Sequence, residues 1–210
     1  MIVARRTSPR TQRSRKIFDR LATLYERMDE TYDKAAQPLG FTCADCANNC
    51  CVSHFQHHTY VEWSYFLQGL EQADEALARR ITEQARQNVE ATHAALARGE
   101  RPRVMCPVNV DGLCSIYQHR LMICRLHGVA HVLHRPDGRF SHYPGCPRFT
   151  DLAADEPCVP GIDIRGPVID RTPLYRELAA IEQAFLGAKM RTLPRVDMTL
   201  AEMIVQGRPF

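Results

Sequence analysis

The 210 residues contain no apolar run near the roughly 18 to 20 that a membrane-spanning helix needs; Leu121-Met122-Ile123-Cys124 is about as long as they get. No membrane span is therefore expected. Familiar catalytic signatures are missing as well: there is no G-x-S-x-G, no G-x4-G-K, no G-x-G-x-x-G and no H-E-x-x-H. The C-x3-C-x2-C order of radical enzymes that use S-adenosylmethionine is also absent. An independent enzyme of a familiar class is not supported. Acidic residues are absent from the first 16 positions, which hold Arg5, Arg6, Arg10, Arg13, Arg15 and Lys16. Because the whole chain carries only +3, the remainder is mildly acidic. The stretch Thr7-Ser8-Pro9-Arg10-Thr11-Gln12-Arg13-Ser14 is polar, whereas an export signal needs about 7 to 15 apolar residues after its basic part. Residues 1–15 are accordingly expected to form a disordered, solubilising basic arm, and nucleic acid is not the expected partner. With no secretory segment, the chain is expected in the reducing cytoplasm.

What is present is an ordinary globular composition, 45% hydrophobic and 24% charged, with nine cysteines. Nine in 210 is too few for a small disulfide scaffold, where cysteine approaches roughly a tenth of the residues, yet they are clustered. Phe18, Leu21, Tyr25, Met28 and Tyr32 share one helical face ahead of Pro38-Leu39-Gly40. Thr59 and Glu62 have capping-box spacing before an apolar mixture from Tyr60 to Leu70, so a helix should start near residue 60. A long amphipathic helix is expected from Asp74 to about Ala97, with Leu77, Ile81, Ala85, Val89 and Leu96 at helical intervals. Arg135-Pro136-Asp137-Gly138 can join Val129–His134 to Arg139–Tyr143 as a short hairpin. Thr172-Pro173 begins another helix carrying Leu174, Leu178, Ile181 and Phe185, and a last one should cover Met198 to Val205. No repeat or linker is visible, so the expected class is mainly α: a single metal-centred helical domain over 16–210 with one short hairpin.

Cys43, Cys46, Cys50 and Cys51 form C-x2-C-x3-C-C. On a helix, at about 100° per residue, the first three share a face and Cys51 points elsewhere. Four more cysteines follow in Cys106-Pro107, Cys114, Cys124-Arg125 and Cys146-Pro147, while Cys158 stands alone in a Pro-rich loop. Four cysteines in nine residues, beside Asp45, Asn48 and Asn49, are a poor way to build an apolar core, and no βαβ pattern surrounds Cys43-Ala44-Asp45-Cys46 to suggest thioredoxin-like exchange. Metal or cluster ligation is the reading that remains, as one four-thiolate site with spare thiols or as two. Arg120 and Arg125 could offset thiolate charge around such a centre. Among the histidines near the clusters, His54 and His127 are the better candidates for ligands or proton carriers, whereas Tyr117 is expected in the core.

The first cluster, together with Cys106-Pro107, Asp111-Gly112-Leu113-Cys114-Ser115-Ile116-Tyr117, Arg120, Cys124-Arg125 and Cys146-Pro147, resembles the YkgJ-type cysteine-cluster family. The resemblance covers roughly residues 41 to 147. This chain has three residues, Ala47-Asn48-Asn49, where the family has two, and Leu121 where a proline commonly follows the arginine. The resemblance implies a zinc- or iron-chelating protein, often iron–sulfur, with about eight cysteines as ligands. An iron–sulfur cluster of the [4Fe–4S] type is the favoured cofactor, serving redox chemistry or the modification of another protein. Zinc, stapling an interaction module together without catalysis, is the alternative. The partner would be an unidentified protein or redox partner.

Overall fold

A computed structural model of the chain describes residues 9–43, 46 and 50–210. The architecture is mainly α, with seven α-helices and two small sheets among the described residues. Helix α1 spans Pro9–Ala36 and buries Ile17, Leu21, Leu24, Tyr25 and Met28 along one stripe. It begins earlier than the charge count places it: positions 9–15, assigned above to the arm, are its first two turns, and Arg13 Nη2 donates to the Ala184 carbonyl at 3.0 Å. Residues 1–8 of the proposed arm lie outside the described residues.

Helix α2, Tyr60–Gln72, is buried along most of its circumference by Tyr60, Val61, Trp63, Phe66, Leu67 and Leu70. Its start agrees with the sequence, but its cap does not. Thr59 makes no side-chain cap, because its hydroxyl donates to Glu62 instead of accepting a backbone N–H, and the other oxygen of Glu62 turns inward. Glu62 Oε1 accepts from the Tyr25 hydroxyl at 2.9 Å and the Met122 N–H at 2.8 Å, while Oε2 accepts from Thr59 Oγ1 at 2.8 Å. The free N–H groups of Tyr60 and Val61 donate to Glu182 Oε1 and Oε2, at 2.9 and 2.8 Å. A distant carboxylate thus satisfies donors that every helix start leaves open.

Helix α3, Glu75–Ala97, is capped by Asp74, which accepts from Ala76 and Leu77 N–H. Its inner face runs Ile81, Ala85, Asn88, Thr92, Ala95; Leu96, expected inside, is 49% exposed. That face packs on α7, Leu200–Gln206, where Thr199 and Glu202 form a complete capping box. Between them lie β1, Asn109–Val110, and β2, Leu113–Cys114, paired across the Asp111-Gly112 turn, and a one-turn helix α4, Met122–Arg125. The expected hairpin is present as β3, His131–His134, and β4, Phe140–Tyr143, with His131 opposite Tyr143. His131 is buried and His134 exposed, as opposite faces of a strand require. After α5, Pro147–Leu152, a two-residue strand β5, Ile169–Asp170, adds in parallel to β3. Helix α6, Thr172–Leu186, then packs on α1 and α2. Apolar packing forms three adjoining clusters: α2 with α3 and α7; α1 with α4 and α6; and the end of α1 with Phe41, Val129, Phe149 and Ile169.

Candidate metal centre

Cys106 and Cys114 pack against the α2–α3–α7 cluster and Cys146 against the cluster at the end of α1. Cys50–Val52 is a single 3-10 turn rather than part of an α-helix, and its chain is tied to the second cysteine segment by the Cys106 N–H, which donates to the Cys51 carbonyl at 2.8 Å. The β1–β2 pairing sets Cys114 opposite Asn109, and the Asn109 N–H returns to the Cys106 carbonyl at 3.0 Å. Cys124 rides on α4, whose first N–H is held by Glu62. Cys50, Cys51, Cys106, Cys114 and Cys124 thereby line one cavity of about 80 Å³, together with Arg120, Asn109, His54 and His57. Phe66, Val104 and Leu200 contribute apolar lining.

The electrostatics follow this placement. Burial pushes the Cys106 thiol up, and charge on Cys124, Cys51 or Cys114 would push it further; the Val108 N–H opposes the shift. Burial raises Cys124 to about 12 against the pull of Arg120. Cys114 is raised by burial and eased by the Ile116 N–H and Arg120. Cys51 differs, being lowered to about 6, first by a hydrogen bond from Cys50 and then by Asn109, against burial. Asn109 Nδ2, buried without an oxygen or nitrogen partner, faces that sulfur.

Around Tyr32 lies a second gathering. The Tyr32 hydroxyl is 3.5 Å from Cys43 Sγ. A Cβ on Gly128, whose φ is +112°, would stand 3.2 Å from that hydroxyl and 3.3 Å from Phe41, so glycine lets the two segments meet. The Gly128 carbonyl accepts from the Cys146 N–H at 2.8 Å. Burial raises the Cys146 thiol, its sulfur is relieved by the Phe149 and Arg148 N–H groups, and it lies within electrostatic reach of Cys43 and Cys46. Cys50, raised by its bond to Cys51 and by burial, feels both Cys51 and Cys43.

The two arginines separate in role. Arg125 is buried at 4% exposure and is fully engaged: Nε donates to the Arg120 carbonyl, Nη1 to Asp29 at 2.6 Å, and Nη2 to the Tyr117 and Gln118 carbonyls. It staples residues 117–120 to α1 and stacks 4.2 Å over Tyr25. Arg120, anchored on the Cys124 carbonyl, directs its charge to Cys124, Cys114 and Cys50. Tyr117, expected in the core, is 49% exposed and lies beneath both guanidinium groups. His54 is at the cavity, whereas His127, held neutral to about pH 4 by burial and Arg120, is packed between Phe55 and Tyr143. Cys158 is exposed and donates to Ile162 in its own loop.

Sequence reasoning missed Tyr32, Asn109, Glu62 and Gly128. Tyr32 was on a helical stripe that reads as packing, and nothing in its spacing marks a hydroxyl aimed at sulfur. The donor chemistry fits a thiolate-bound metal: three of the sulfurs, Cys106, Cys114 and Cys146, receive backbone N–H groups from the residue two or three places on. As they stand, no three His, Cys, Asp or Glu side chains among the described residues are grouped closely enough to hold a metal ion. No family model, curated protein or solved structure matches the chain.

Proposed function

We propose that the protein binds an iron–sulfur cluster, of the [4Fe–4S] type, through its clustered cysteines. The observation that carries this reading is the meeting of Cys50, Cys51, Cys106, Cys114 and Cys124, contributed by four separated stretches of chain, around one cavity beside Arg120. Four thiolates are the usual ligand set of such a cluster, and N–H···S bonds with a nearby cation reduce the cost of gathering their charge. The cluster, when bound, supplies one-electron chemistry. The chain's own residues hold it, shield it with Phe66 and Leu200, and balance its charge with Arg120. A redox partner, or a protein modified with the cluster's help, in the cytoplasm, is the use that fits.

Loading would draw the thiols closer together, so that metal binding and folding are coupled. Full-length protein purified or reconstituted anaerobically with iron and sulfide should be brown, with broad absorption near roughly 400 nm and a higher melting temperature than the metal-free form. Cys124→Ser should lose bound iron, whereas Cys158→Ser should retain it. Colourless protein carrying stoichiometric zinc after iron-replete anaerobic expression would replace this reading with a zinc-stapled interaction module.

A further inference from the structure

We propose that the first half of α1 and the end of α6 form a docking surface for an acidic, extended segment of a partner protein that carries an apolar anchor. The surface is remote from the cysteines, since Arg13 and Tyr32 stand about 28 Å apart along α1, and the proposal does not rest on the metal-binding reading.

Arg13, Lys16 and Arg20 follow one another at spacings of three and four, which sets them on one side of α1. Between them Ile17, 6% exposed, packs inward with Leu174, Leu178 and Ile181 of α6, so the cations are held in fixed order on a folded helix. Two adjoining grooves open along this side, and Arg13 and Ile17 line both. The first, of about 510 Å³, is walled also by Lys16, Arg20 and Ala184. The second, of about 730 Å³, has an apolar lining of Phe18, Phe185, Leu186 and Phe210, with Lys189 and Arg208 beside it. Among the described residues, no Asp or Glu side chain lines either groove. Some of this charge is already engaged: Arg13 donates to the Ala184 carbonyl, Arg208 is paired with Glu71, and Lys189 stands 3.9 Å from the centre of the Phe210 ring. Lys16 and Arg20 are exposed and enter no ion pair among the described residues. Asp19, exposed on the same helix, lines neither groove.

Uncompensated cations beside an apolar trough call for an anion with an apolar part. Lys16 and Arg20 lie about 6 Å apart along the helix, close to the roughly 6.8 Å between alternate side chains of an extended chain, so carboxylates at every second position can meet both. The aromatic rings argue against a single-stranded nucleic acid. Phe18 and Phe185 pack on each other with centres 5.9 Å apart, Phe185 lies 5.8 Å from Phe210, and Lys189 covers Phe210. Rings engaged in this way are not displayed as open faces on which bases stack, and the groove they line suits a side-chain anchor instead.

The test is fluorescence anisotropy of the full-length protein with a fluorescein-labelled peptide, Glu-Ala-Glu-Ala-Glu-Phe-Leu, at about 50 and 300 mM salt. Saturable binding is expected, weakened about tenfold or more by the higher salt, by Gln in place of every Glu, or by Ser in place of Phe-Leu. Lys16→Glu with Arg20→Glu should weaken it by at least about tenfold, as should Ala188→Trp, which fills the second groove from an exposed position. Arg101→Glu with Arg103→Glu, the same change of charge on another exposed stretch, should bind as wild type does. Absence of saturable binding, equal binding of the Gln peptide, or an equal loss in the Arg101 and Arg103 double variant would overturn the proposal. Tighter binding of oligouridine or of phosphatidylglycerol vesicles, lost in the Lys16 and Arg20 double variant, would overturn it in favour of a nucleic acid or a membrane surface. The peptide comparisons need no variant, so they decide the matter even if a substituted protein fails to fold.

Discussion

At the scale of single residues, two buried carboxylates fix the helices that present the thiols. Glu62 is 4% exposed and Glu182 is 8% exposed; Glu62 accepts from the Met122 N–H and Glu182 from the Tyr60 and Val61 N–H groups. Leaving a buried N–H without a partner costs about 1 to 3 kcal/mol. Glu182→Ala strips the acceptor from both Tyr60 and Val61, so a loss of about 2 to 4 kcal/mol in urea unfolding is expected, while Glu182→Gln, which keeps a carbonyl oxygen there, should lose clearly less. Equal losses for the two variants would show that one carbonyl oxygen does not suffice and that the helix end needs both oxygens or the negative charge. Arg125 is the comparable case among the cations. Its hydrogen bonds go to Asp29 and to backbone carbonyls, so its effect on the centre is through the position of Arg120.

At the scale of elements, α2 and the Tyr117–His119 turn approach more closely than side chains usually permit. A Cβ at Gly69 would stand 2.4 Å from the His119 ring, which itself lies 4.4 Å from the Tyr65 ring. Gly69→Ala should therefore destabilise the protein by about 1 to 3 kcal/mol despite alanine's better helix propensity. Adding His119→Ala should recover most of that loss, and thermal melts of the two single variants and the double variant measure the recovery as a coupling. Additive losses would place the close approach elsewhere. The same turn carries the backbone that Arg125 binds, so this interface and the arginine together hold the segment leading to Cys124.

For the whole molecule, His57 and His131 are buried, and their neutral rings set a pH dependence. Burial lowers His57 from 6.5 to about 3, with His58 adding to the effect, and its Nδ1 has no hydrogen-bond partner. Burial likewise lowers His131 to about 4, assisted by Arg171. Between about pH 6.5 and these depressed values the unfolded chain binds protons that the native state refuses, so the stability these rings permit is intact above pH 6.5 and falls as the solution is acidified. By pH 5 the loss from His57 alone should be about 2 kcal/mol. His57→Leu leaves the backbone bridge to Met198 in place and should flatten that part of the urea-unfolding profile between about pH 7 and pH 5. Comparing the variant with wild type at each pH cancels the titrations common to both, and profiles of equal slope would rule out His57 as the source of the acid loss.

The sequence by itself determined the helices and the hairpin, because Leu174, Leu178 and Ile181, or Arg135 to Gly138, encode their geometry within a few residues of one another. It also singled out Cys43 to Cys146 as candidate ligands, since polar neighbours and clustering argue against a core role. Local pattern could not choose between outcomes of equal spacing. Thr59-x-x-Glu62 and Thr199-x-x-Glu202 look alike, yet only the second is a capping box, because Glu62 is captured by Tyr25 and Met122 from other elements. The drift of the α3 face to Asn88 and Thr92, and the two-residue β5, likewise depend on the partner rather than on the segment. The same holds for the sulfurs. Spacing constrains thiols within one turn, but the meeting of Cys50 and Cys51 with Cys106, Cys114 and Cys124 joins residues more than fifty positions apart, and only tertiary packing supplies it.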